Sequence, residues 1–162
     1  MTKDQYHKEI DAVQEILAQI EKPLKEKHAS DDDVYNALTQ KLTELNREKL
    51  TPEKRRAVHA VMGDVELSRF HFTNAESQYR LAKDPVRLGG VALFYERSSK
   101  PELADSLYAE IMRMNPPVII HESRDATFFS ALANRYEQKG NTKKAAEINK
   151  KLQTYRASPT KG

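Results

Sequence analysis

The sequence contains no cysteine and no tryptophan. Without cysteine, disulfides and thiolate metal sites are excluded, and stability has to come from packing. Glycine is scarce at 5 residues, and apolar residues make up 38% of the chain against 31% charged. That balance is poor for one thick core and suits a thin stack of helices, each with a wet face. Long hydrophobic runs are also missing: nothing approaches the roughly 20 apolar residues that cross a bilayer. The amino end, Met1-Thr-Lys-Asp, opens into a polar helix with no apolar stretch of the secretory kind, so a cytoplasmic protein without membrane contact is expected.

Charge is nearly balanced at +3 but unevenly spread. Residues 1–50 hold 8 basic and 11 acidic groups, 51–136 hold 12 and 11, and 137–162 hold 7 and 2. The basic pole comprises Lys139, Lys143, Lys144, Lys150, Lys151 and Arg156, with Tyr155 nearby. Such a stripe suits RNA or an acidic partner, and equally the solvated outer face of a terminal helix. Lysines without interleaved arginines or aromatics favour charge contact over base recognition.

Hydrophobic periodicity predicts about eight helices and no sheet. The first runs from about Asp4 to His28, with Tyr6, Ile10, Val13, Leu17, Ile20 and Leu24 at steps of 4 and 3. This stripe either packs on the chain's own core or pairs two copies in a coiled coil, so self-association through the N-terminal helix is one expectation. Pro23 should kink or end that helix. Asp31-Asp32-Asp33 suits a helix N-terminus, and the second helix, with Val34, Leu38, Leu42 and Leu45, should fold back on the first.

Thr51-Pro52 starts the third helix. Capping boxes at Thr73–Glu76 and Ser99–Glu102 open the fourth and sixth, and Asp84-Pro85 opens the fifth. Asn115-Pro116-Pro117 stops the sixth, leaving Val118–Ile120 as an extended apolar strip. The seventh helix begins near Arg124 and ends at Gly140; the eighth covers about Thr142 to Tyr155. The tail, Ala157–Gly162, is expected to be disordered.

Small residues and rings recur along these pairs: Gly63, Ala75, Tyr79 and Ala82; then Leu88, Val91, Ala92, Tyr95, Ala104, Tyr108, Ile111 and Pro116; then Phe129, Leu132, Ala133, Tyr136, Gly140 and Ala145. Over Ala57–Leu152 the chain resembles the tetratricopeptide-repeat family on these residues. It departs at His59, Glu66 and Asn149, and its alanine spacings of 29 and 41 differ from the family's roughly 34. In size and plan it is also similar to small secretion chaperones that hold translocator proteins.

The resemblance implies an all-α, antiparallel helix-hairpin stack: an N-terminal hairpin over residues 1–50, then three tetratricopeptide-like pairs over 51–156. It further implies a groove for a partner's peptide or helix, lined by Ala57, Ala60, Val61, Asp64, Val86, Gly89, Gly90, Leu93, Ser130 and Asn134. Either the N-terminal hairpin or a partner's apolar segment must cover so apolar a face. The pair Gly89-Gly90 marks close helix approach or a partner backbone pressed in there.

No motif points to catalysis or a cofactor. The 5 histidines, His7, His28, His59, His71 and His121, share no metal-binding spacing. The expected function is therefore that of a protein-binding adaptor, assembly factor or chaperone-like holder. A basic helical module binding nucleic acid through its C-terminal helices is the alternative.

Overall fold

The structure, a computed structural model, describes residues 4–158. Among them are eight helices and no strand: α1 (Gln5–Glu26), α2 (Asp31–Arg47), α3 (Pro52–Ser68), α4 (Phe72–Ala82), α5 (Pro85–Arg97), α6 (Pro101–Met114), α7 (Ser123–Gln138) and α8 (Thr142–Ala157). Residues 159–162 of the expected tail lie outside the described residues, whereas Ala157 is the last residue of α8. The helices divide into two compact units, Met1–Asp84 and Pro85–Gly162. The boundary expected at residue 50 therefore falls inside the first unit, because the N-terminal hairpin and the α3–α4 pair share one core.

In that core the α1 stripe meets α2 and α3. Tyr6, Ile10, Val13 and Leu17 are buried with Val34, Leu38, Leu42 and Leu45 and with Ala57, Val58, Ala60 and Val61 of α3. This corrects the expectation of a coiled coil through α1, whose apolar face is turned into its own unit. Pro23 does not end α1, which continues to Glu26. Gln19 and Pro23 are both on the exposed side, so the carbonyl left without a donor faces water.

The hairpins α1–α2, α3–α4, α5–α6 and α7–α8 turn by one device. The residue after the first helix's cap is left-handed: His28, Phe70, Ser99 and Gly140 at φ 58°, 61°, 59° and 81°. The next amide then reaches back to a carbonyl five residues earlier, as in Ala29 N to Leu24 O at 2.9 Å, His71 N to Glu66 O at 3.0 Å, and Lys100 N to Tyr95 O and Asn141 N to Tyr136 O, both at 2.8 Å. These bonds satisfy the last carbonyls of each first helix.

The same device displaces two expected caps. Thr73 lies inside α4, which starts at Phe72, and Ser99 is the left-handed residue itself, with α6 capped by Lys100 without a side-chain bond. Elsewhere caps form as side-chain chemistry dictates: Ser30 accepts from Asp33 N at 3.1 Å, Thr51 from Lys54 N at 3.3 Å and Asn141 from Lys144 N at 3.2 Å. Glu122 and Asp125 form a capping box at α7.

Tyr79, Tyr95, Tyr108 and Tyr136 are all buried. Tyr79 packs on Gly63 and Phe128 on Gly89, so both glycines mark close helix approach. Val118 of the extended strip is buried, and Lys151 holds its carbonyl at 3.1 Å.

Candidate functional site

Within the first unit α1 and α3 run in the same direction. Near their start the Arg56 guanidinium stacks 4.3 Å from the centre of the Tyr6 ring and donates to the carbonyl of Ala82 at 2.7 Å. The Tyr6 hydroxyl donates to buried Asp84 at 2.5 Å. Toward their ends the helices part around a cleft of about 490 Å³. Its floor is Leu17 of α1, Val34 and Leu38 of α2 and Val61 of α3, each no more than 8% exposed. Its rim is charged: Lys25 bonds Glu21 at 2.5 Å, Arg69 pairs with Asp32 while lying over the Tyr35 ring, and Asp31 and Asp64 stand beside them. An apolar floor of this size inside a polar rim is a form that accepts apolar side chains.

Beside the cleft, Glu66 gathers three donors. Tyr35 Oη donates at 2.6 Å and Asn74 Nδ2 at 3.1 Å, and His71 Nδ1 lies at 2.9 Å. Burial alone would raise the Glu66 carboxyl, but the bonds from Tyr35, His71 and Asn74 outweigh it and hold the group below its ordinary 4.5. A lowered carboxylate contributes stability that is full above its unfolded value and lost as pH falls through the folded one. Urea denaturation from pH 3 to 7 should therefore show stability draining below about 4.5, with a flatter acid limb for Glu66→Gln. Identical acid limbs for both chains would disprove the assignment.

The residues expected to line a groove stand in different settings within the two units. Ala57, Ala60 and Val61 are at most 2% exposed, because such small side chains let α1 lie closely on α3. They are core, which corrects their assignment as an open partner surface, although Val61 and Asp64 also edge the cleft. Asp64 accepts from the Tyr79 hydroxyl at 2.7 Å. Gly89 is buried under the Phe128 ring and likewise cannot be a contact. Val86, Leu93 and Ser130 are half-buried, and Gly90 and Asn134 are exposed.

The basic residues of the C-terminal end differ in their partners. Lys143 and Lys150 stand exposed seven residues apart on α8, Lys144 lies 3.8 Å from Glu147, and Lys151 is held on the Val118 carbonyl. Arg156 is exposed in the last turn of α8. Lys139 edges a second cleft, of about 370 Å³ in the second unit, beside Tyr108 and Arg135. There Arg135 pairs with Glu96 and Asp105 and lies 4.4 Å from the centre of the Tyr108 ring. Burial, with help from Glu96, pushes the Tyr108 hydroxyl up to about 12, so it stays protonated. This cluster ties α5, α6 and α7 together.

Among the described residues no group of three or more His, Asp and Glu stands where it could hold a metal. No helix among them is long and apolar enough to cross a membrane. Sequence reasoning missed the Glu66 cluster. Its one signal was Glu66 itself, an acid where the repeat pattern wants a tyrosine. His59, the other departure on α3, is met by Gln78 at 2.8 Å. The chain matches no protein-family model, no curated protein and no solved structure.

Proposed function

We propose that this chain is a protein-interaction scaffold of tetratricopeptide-like helix pairs, an adaptor or chaperone-like holder, whose α1–α3 cleft receives an apolar side chain from a protein partner. The observation that carries this reading is the cleft itself. Leu17, Val34, Leu38 and Val61 form an apolar floor, and the two cations on its rim, Lys25 and Arg69, are already paired with Glu21 and Asp32, so an incoming apolar group strips water from the floor without stranding either cation. The repeated left-handed stop at four hairpins supports the plan of successive helix pairs.

The test uses Ala18, which is exposed and lines the cleft. Ala18→Trp should fill the opening without disturbing the core. A partner captured from host extract by the native chain, retained through high salt and nuclease, is expected to be lost by this variant at unchanged melting temperature. Equal capture by both chains would remove the cleft from the function. Loss of everything on nuclease treatment would transfer the function to the basic C-terminal helices.

A further inference from the structure

We infer that one occupant of this cleft is a second copy of the chain, the Phe70 ring of each copy entering the cleft of the other; this rests on the reading of the cleft as a protein-docking site. Phe70 takes the left-handed position after α3, at φ 61°. Glycine fills that position without strain, and a residue with a side chain there costs about 1–2 kcal/mol. The turn is nonetheless complete, with Phe70 N donating to Leu67 O at 2.9 Å and His71 N to Glu66 O at 3.0 Å. It is braced from below, since His71, Tyr35 and Asn74 all converge on the Glu66 carboxylate. Yet Phe70 is 71% exposed, its ring meeting that of Phe72 edge-on at 6.2 Å. His28 and Ser99 take the same left-handed position, but Phe70 alone of the three puts a large apolar ring there, on a braced turn and facing water. It has the form of a preorganised anchor, which loses little freedom on binding.

Three observations select a second copy as the occupant. Ser68 and Arg69 line the cleft, so Phe70 stands one residue beyond its lip. Knob and hole thus share one patch, and a two-fold axis between them can bring each knob to the other's hole, a contact that closes at two copies. The size suits a ring, since a dry cavity of about 150 Å³ already accommodates benzene, and this one measures about 490 Å³. The rim also carries both signs, Glu21, Asp31 and Asp64 against Lys25 and Arg69. A patch that meets its own copy repels itself if its rim has one sign, and a mixed rim does not.

The experiment is light scattering on the full chain over a wide concentration range, alongside thermal melts. The native mass is expected to climb from 18.6 kDa toward twice that value. Phe70→Gly should weaken the dimer by tenfold or more, since both anchors of the two-fold contact are lost, while its melting temperature, measured at concentrations where both chains are monomers, holds or rises because glycine relieves the left-handed strain. Ala18→Trp should weaken the dimer equally by filling the hole. The inference is overturned by a native chain that stays monomeric, by a mass that grows past two copies, or by undiminished dimer in Phe70→Gly. If the native chain is monomeric but Ala18→Trp still loses its heterologous partner, only the dimer fails. If Ala18→Trp changes neither mass nor capture, the cleft reading fails too.

Discussion

Tyr79→Ala is expected to lower stability by about 3–5 kcal/mol, the cost of removing a fully buried aromatic. Tyr79 is 1% exposed, and its ring lies against α3 where Gly63 has no side chain; a Cβ there would stand 2.3 Å from the ring. The ring cannot swing aside, because its hydroxyl donates to Asp64 at 2.7 Å. Gly63→Ala should therefore cost about 1–3 kcal/mol by overpacking in the native background. With Tyr79 already alanine, the added methyl enters the space the ring vacated, and its cost should vanish or reverse. Urea denaturation of the native chain, both single variants and the double variant gives the coupling directly. Equal costs for Gly63→Ala in both backgrounds would show that glycine and tyrosine do not share one contact.

That contact explains why much of the fold was readable. A small residue on one helix and a ring sixteen positions on are both sequence features, and they meet only if the two helices fold back on each other. The same holds for Leu88, Ala104, Tyr108 and Leu132, all buried. Helix starts were less legible, because a cap competes with the stop of the helix before it. At Ser99 the left-handed stop took the residue that the capping pattern had claimed.

The site was least legible. Spacing identifies which residues of a helix share a face, but not whether another helix of the same chain covers that face. Ala57, Ala60 and Val61 suit a partner surface and an internal helix contact equally well in sequence, and α1 decided between them. The cleft itself arises where α1 and α3 part, a matter of interhelical geometry that no residue pattern encodes. Phe70 was hidden for a different reason: an aromatic in the turn between two helices looks like a core residue until its exposure is known.

Gly89→Ala and Gly90→Ala should change stability in opposite directions, although the residues are neighbours in one helix. At Gly89 a Cβ would stand 2.2 Å from the Phe128 ring. That ring is itself 5% exposed and packed edge-on against Phe129 with centroids 4.8 Å apart, so it has nowhere to retreat. The expected loss is about 1–3 kcal/mol. At Gly90 a Cβ would meet nothing within 4 Å, and its φ is not left-handed. Alanine there should stabilise the helix by about 0.5–1 kcal/mol through reduced freedom of the unfolded chain and better helix propensity. Thermal and urea unfolding of the two variants check both signs. A destabilising Gly90→Ala would mean that something in solution lies against that position, and a harmless Gly89→Ala would mean that the Phe128 ring is not held. If both signs hold, Gly89 is explained by packing within the chain. Gly90 is then an exposed glycine that weakens its helix without any packing contact around it to require the missing side chain.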